Sequence, residues 1–342
     1  MNTDLQAQNT TQATLAKAPL EPGFAAFLQQ AAAAGAPPIE CLTPAQARQM
    51  YRQISAELSQ DPPAVAAVRD LSIAGPASTL TLRVYTPPSQ GPWPTLLYVH
   101  GGGFLMGDLD THDAVCRTLC QMADTLVVAV DYRLAPEHPF PAAPDDVEAT
   151  VRWLLAHAES LGGQPGPLAL AGDSAGAQLS LVAARRLQGQ GIRALGLIYP
   201  VAAHPDTQSA SQREHGQGKF LTRSAMDWFN QAYLGSDPAH RGHPEVDLLG
   251  STGFEGLPAT WLATLGHDPL CDEGVALGGR LRQAGVPVRH QHYPGAIHAC
   301  LHFTRLSPTG WQLMADLAQW LREQDGRAEK PSDAGDVAPD HR

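Results

Sequence analysis

Six short apolar runs recur along the chain, at 95–99, 126–130, 168–171, 195–199, 260–265 and 288–293. Each has strand length and is too short for a helix. Helical patterns lie between several of them, at 112–123, 145–160, 175–188 and 272–284, with a last one at 310–323. Parallel strands need a crossover of roughly a dozen residues, and these spacings supply one. The alternation predicts an α/β fold with a mainly parallel sheet covered on both faces, and ligands at the carboxyl ends of its strands.

The flanks differ. Residues 68–73 and 80–85 alternate in polarity around Gly75-Pro76-Ala77-Ser78, which reads as a hairpin. Before it, Phe24, Phe27 and Leu28 share a helical face, and Thr43-Pro44-Ala45-Gln46 has the form of a capping box with Pro at the first helical position. Residues 201–249 break the rhythm: they hold no clear strand and one helical piece with Trp228, Phe229 and Tyr233. The expected organisation is a loose arm over 1–20, capping helices over 21–65, a core over 66–200 and 250–325, an inserted cap over 201–249, and a loose tail over 326–342.

Composition narrows the function. Thirty-four acids against 23 bases give a net charge of −11, a field that repels phosphate backbones, so nucleic acid is not an expected partner. No apolar run approaches the roughly 20 residues that span a bilayer, and the first 20 residues carry neither a basic start nor an apolar core. Five cysteines without a C-x-x-C pair suit reduced thiols. The expected location is the cytoplasm.

Gly172-Asp173-Ser174-Ala175-Gly176 fits G-x-S-x-G, between a predicted strand and a predicted helix. A serine on such a turn takes a strained backbone, and the small residues at 172 and 176 let neighbouring chain pass closely. The helix behind it aims free N–H groups at the same spot. His100-Gly101-Gly102-Gly103-Phe104 follows another strand, and its glycines expose backbone amides. Gly102, Gly103 and Ala175 are the expected oxyanion donors, with His100 holding the loop. A phosphate cradle is the alternative reading of the glycines, but no Lys-Ser/Thr or G-x-G-x-x-G spacing follows.

The serine needs a base, and the base needs a carboxylate. His298, just after the last predicted strand, and Asp268, closing the strand before it, are the candidates. Asp272, Glu273, His290 and His292 are their rivals. A zinc reading through His290, His292, His298 and His302 is also open, though no H-E-x-x-H motif supports it. Phe104, Leu105, Phe220, Trp228, Phe229 and Tyr233 are candidate pocket residues; the alternative is that they pack the cap on the core.

Together, His100-Gly101-Gly102-Gly103-Phe104, Gly107-Asp108-Leu109, the run Asp131 to Ala143 (DYRLAPEHPFPAA) and the serine motif resemble the hormone-sensitive-lipase-like esterases, bacterial family IV of the α/β-hydrolases. The resemblance runs from about residue 72 to 320. It implies an α/β-hydrolase fold with an eight-stranded sheet and a helical cap, and hydrolysis of short- to medium-chain acyl esters with no metal or organic cofactor. Its D-P-L-x-D-E and G-x-x-H segments fall on Asp268 and His298. The chain departs from the pattern at Cys271, where Arg is usual, at Ala177-Gln178 and at Ala299-Cys300. Amide, formamide or lactone hydrolysis by the same triad, and ligand binding without catalysis, remain alternatives. The expected partner is a small ester. Exposed sheet edges and the last helix are candidate surfaces for a homodimer.

Overall fold

A computed structural model describes residues 15–35 and 37–327. Most of the arm expected over 1–20 and of the tail expected over 326–342 lies outside the described residues. In chain order the elements are α1 (Pro22–Ala33), α2 (Pro44–Leu58), β1 (Ala67–Ala74), β2 (Thr79–Thr86), β3 (Thr95–Val99), α3 (Asp113–Ala123), β4 (Leu126–Asp131), α4 (Ala142–His157) and β5 (Leu168–Asp173). They continue with α5 (Ala175–Arg186), β6 (Ile192–Ile198), α6 (Ala210–His215), α7 (Arg223–Leu234), β7 (Ala259–His267), α8 (Cys271–Gln283), β8 (Val288–Ile297) and α9 (Thr309–Gln324).

The eight strands form one sheet in the order β1-β2-β4-β3-β5-β6-β7-β8. β2 runs antiparallel to β1 and β4, and every other pair is parallel. The chain leaves β3 in one direction to β4 and later places β5 on its other side. The order therefore reverses at β3, and such a switch point opens a crevice at the carboxyl ends of β3 and β5. The loop after β3 carries Gly102 and Gly103; the turn after β5 carries Ser174.

Side-chain alternation along the central strands feeds two cores. Leu97 and Val99 of β3 point into the layer formed by α4, α5 and α8, with Val151, Val182 and Leu277. Leu96 and Tyr98 point the other way, against Leu119 of α3 and Leu317 of α9. β3, β4 and β5 are buried on both faces, which is why their sequences read as unbroken apolar runs.

A third apolar cluster joins α2, α7 and the loop after β3: Ala47, Tyr51, Leu105, Met106, Phe229 and Leu270. Thr43 caps α2 as expected, accepting the N–H of Gln46 while its own N–H donates to Gln46 Oε1. Arg48 of α2 donates to the carbonyls of Leu105 and Ala135, each at 2.9 Å, and forms a forked pair with Glu137. The first helices are thereby fastened to the loop that follows β3.

The structure departs from the expected boundaries in four places. α6 was not expected, because six residues are too few to show helical periodicity, although Ser209 and Gln212 form a capping box around it. β8 continues to Ile297 through Pro294-Gly295, a pair that reads as a strand end; it lies on the sheet's edge, where a missing N–H is tolerated. Tyr199 falls outside β6 with φ at 37°. α4 begins three residues early, at Ala142.

Arg133 holds the start of α4 through Asp146. The guanidinium donates to both carboxylate oxygens, at 2.7 and 2.8 Å, and the Arg133 N–H adds a third bond. The Asp146 side chain is fully buried. Removing Arg133 strands the Asp146 carboxylate in a dry site. Arg133→Ala is expected to cost about 3 kcal/mol of stability, read as a lowered midpoint in urea with an unchanged slope.

Candidate active site

Ser174 has φ 53° and ψ −119°, a conformation that L-residues rarely adopt. It is held by the sheet: its N–H donates to the carbonyl of Ile198, and its own carbonyl accepts from Ala177 and Gln178 in the first turn of α5. The flanking glycines are required by contact. A Cβ on Gly172 would meet the carbonyl oxygens of Val99 and Gly176 at 2.5 Å, and one on Gly176 would fall on the backbone of Val99 and His100.

The structure brings Ser174, His298 and Asp268 together. His298 leaves the end of β8, and its Nε2 lies 3.0 Å from Ser174 Oγ. Its Nδ1–H donates to Asp268 Oδ2 at 2.8 Å. A carboxylate only accepts, so the ring proton sits on Nδ1 and the Nε2 lone pair faces the serine hydroxyl. Asp268 is completely buried, and its other oxygen accepts the N–H of Leu270 at 2.8 Å. The rivals are engaged elsewhere: Asp272 accepts from Ser211 N–H, Glu273 from Ala202 N–H, and His290 and His292 share Thr264. Glu273 is buried, and burial pushes its carboxyl up to about 8.

Beside Ser174 Oγ, the amides of Gly102, Gly103 and Ala175 meet no acceptor among the described residues. Gly102 (φ 121°) and Gly103 (φ 62°) need glycine's freedom, and the Phe229 ring lies where a Cβ on Gly103 would stand, 2.6 Å from its atoms. The loop is set by Asp173, 2% exposed, whose Oδ1 accepts from Gly101 N–H at 3.0 Å and Tyr98 O–H at 2.9 Å. Burial raises this carboxyl, but His112 and the hydrogen bonds outweigh it and hold it well below its usual value. His100 stacks on Tyr132 and turns its Nδ1 to Gly101, in keeping with a loop-holding role.

Of the metal-ligand types, His112, Asp173 and His302 come together, with ligand atoms within 4.8 Å of one another and all three buried. They could present two imidazoles and a carboxylate to a cation. They already work as a scaffold: His112 Nε2 lies 3.3 Å from Asp173 Oδ1, and His302 Nε2 is 3.1 Å from the Tyr51 hydroxyl. The four histidines of the zinc reading are not one set. His298 faces Ser174 and His302 faces Tyr51, while His290 and His292 bond Thr264 of the neighbouring strand.

A cavity of about 370 Å³ opens above Ser174, lined mainly by apolar atoms. Gly102, Gly103, Ser174 and His298 line it, together with Phe104, Phe220 and Phe229. Three expected pocket residues lie elsewhere. Leu105 is buried under α2, Trp228 packs beside Phe229, and Tyr233 stacks on Phe104 with ring centroids 3.7 Å apart. Trp228 lies off the face that Met226, Phe229 and Asn230 share on α7, whereas Tyr233 lies on that face one turn further along and is taken up by the Phe104 ring. Sequence reasoning missed Phe27, Leu28, Met50, Tyr51 and Ile54 of α1 and α2. The shared face of Phe24, Phe27 and Leu28 was the available signal, but nothing local says that it meets Ser174.

A model of the alpha/beta hydrolase fold matches residues 96–302. The chain is 38% identical over 248 residues to Esterase LipI of Mycobacterium tuberculosis, covering 70% of this chain and 77% of that protein. It is 38% identical over 292 residues to ethyl acetate hydrolase of Pseudomonas putida, covering 82% and 91%. Among solved structures, an alpha/beta hydrolase enzyme from the metagenome of Lake Arreo, Spain, superimposes with a TM-score of 0.86 at 37% identity, over 90% of this chain and 99% of that one.

The buried imidazoles make stability depend on pH. Burial, with His112 alongside, lowers His302 to about 3 and His100 to about 4, against 6.5 in the open chain. The unfolded chain therefore takes up protons first as pH falls, and stability present above 6.5 is lost on the way down to those values. His302→Phe removes one such site. Its unfolding free energy from urea titrations is expected to fall less steeply than wild type between pH 6.5 and 4, by up to about 1.4 kcal/mol per pH unit. Parallel curves would show that His302 is not held neutral.

Proposed function

The chain belongs to the α/β-hydrolase family and, within it, to the hormone-sensitive-lipase-like esterases, and on that premise we propose that Ser174, His298 and Asp268 are the triad through which it hydrolyses carboxylic esters. The observation that carries the assignment is the unbroken chain from Asp268 through His298 to Ser174 Oγ, opening on the apolar cavity.

Ser174 Oγ attacks the ester carbonyl while His298 Nε2 takes its proton. Asp268 keeps the imidazole in the tautomer that can accept it and stabilises the cation that forms. Negative charge gathers on the carbonyl oxygen, where the amides of Gly102, Gly103 and Ala175 await it. One such donor is worth about 10²–10³ in kcat. His298 returns the proton to the departing alcohol, and an acyl-enzyme remains on Ser174. Water then enters and attacks the acyl carbon as His298 takes its proton; the acyl–Oγ bond breaks, His298 returns the proton to Ser174 Oγ, and the acid leaves.

Residues 21–65 and 201–249 act as the cap over this site. The size and apolar lining of the cavity favour short- to medium-chain acyl esters, with Phe104, Phe220 and Phe229 against the substrate. Among the described residues no helix is long and apolar enough to cross a membrane. Cytoplasmic location accords with the free thiols of Cys41, Cys116, Cys120, Cys271 and Cys300. Homodimerisation along a sheet edge, β1 or β8, belongs to the same reading.

Hydrolysis of p-nitrophenyl esters from acetate to palmitate is expected to peak at short or medium chains and to vanish in Ser174→Ala. Asp268→Asn should lower kcat by about 10⁴-fold. Full activity in the serine variant would remove the nucleophile assignment. Activity rising steadily to palmitate would refute the chain-length preference.

A further inference from the structure

The 201–249 segment meets the loop of Asp268 at Ser211, in the first turn of α6. Ser211 is 6% exposed, and its Oγ–H donates to the carbonyl of Pro269 at 2.8 Å. The same oxygen accepts the N–H of Asp272 at 3.1 Å, and the Ser211 N–H donates to Asp272 Oδ2 at 2.8 Å. Hydroxyl and amide thus both grip the loop.

What lies beyond Pro269 gives the contact its meaning. The Pro269 carbonyl and the Leu270 N–H are the two ends of one planar peptide unit, so orienting one end orients the other. That N–H donates to Asp268 Oδ1 at 2.8 Å. Asp268 Oδ2 holds His298 Nδ1–H, and His298 Nε2 faces Ser174 Oγ. Among the described residues, the Asp268 carboxylate has only these two donors, Leu270 N–H and His298. A peptide whose carbonyl accepts a hydrogen bond is also a stronger donor at its N–H.

We propose that Ser211 is a positioning residue for the triad: it holds the Pro269–Leu270 peptide, which orients the Asp268 carboxylate, so that seating of the 201–249 segment and alignment of the acid are one event. The inference rests on the triad assigned above. Ser211 does not line the cavity, so its effect on catalysis runs through the acid and not through substrate contact. α6 keeps a second attachment through Gln212 and Glu273, and loss of one hydroxyl leaves the segment docked.

The test compares wild type, Ser211→Ala, Ser211→Thr and Ser174→Ala on p-nitrophenyl butyrate, with active sites counted by phosphonate titration. Ser211→Ala is expected to lower kcat about tenfold, the worth of one neutral hydrogen bond, while KM stays within about twofold. The threonine hydroxyl should restore kcat. The low-field proton resonance of the His298–Asp268 bond should shift in the alanine variant and return in the threonine one. Unchanged kcat, a change confined to KM, or a threonine variant no better than alanine would overturn the proposal. Should the alanine variant fail to fold, Ser211→Cys, with its weaker donor, makes the same comparison. A dead Ser174→Ala beside an unimpaired Ser211→Ala would sink this inference alone; an active Ser174→Ala would sink the triad itself.

Discussion

The close passage of the β3 backbone over the turn after β5 is the constraint on which the rest depends. The Val99 carbonyl lies where Cβ atoms on Gly172 and Gly176 would stand, so the two parallel strands can end side by side only with glycine at both places. That approach forces Ser174 into its positive φ and brings the amides of Gly102 and Gly103 beside its hydroxyl. The Ser174 hydroxyl from one strand and the amides after another thus line the same cavity, the arrangement on which the proposed triad and oxyanion site rest.

The strain is held from beneath by buried polar groups. Asp173 links the turn after β5 to the oxyanion loop through Gly101, and Tyr98 completes its bonding from within β3. A buried carboxylate without such donors would take up a proton; here its neighbours keep it charged. His100 and His302 are held neutral in the same region by burial. The support for the site is therefore a desolvated network with few spare partners, which makes its geometry stiff and its stability sensitive to acid.

Above the sheet the logic is different. α1, α2 and the 201–249 segment bury their inner faces on the loops rather than on the strands, and leave apolar space between. Arg48 fastens α2 to the carbonyls of Leu105 and Ala135, while Ser211 fastens α6 to the carbonyl of Pro269. Both anchors grip loops close to the cavity: Arg48 the one that carries Gly102 and Gly103, Ser211 the one that carries Asp268.

Much of this was legible in the residues. Apolar runs at strand length with helical patterns between them determined the sheet, because the periods of 2 and 3.6 are local properties of the chain. The G-x-S-x-G turn marked Ser174 because its residue types stand in five consecutive positions, although the backbone that its glycines make room for, at Val99 and His100, belongs to another strand and the loop after it. The wall of the cavity was not legible. Tyr233 and Phe229 stand one helical turn apart in α7 and are chemically alike, yet one packs on Phe104 and the other roofs Gly103. Nor could any local pattern join Ser211 to Pro269, 58 residues away, or choose His298 over the other histidines on spacing alone. The sequence by itself determined the elements and singled out Ser174 in its motif, since periodicity and the order of residue types along a turn are local properties of the chain. Only the tertiary structure decided which aromatics line the cavity and what holds the acid in place, because those depend on distances between segments that the chain brings together only when it is folded.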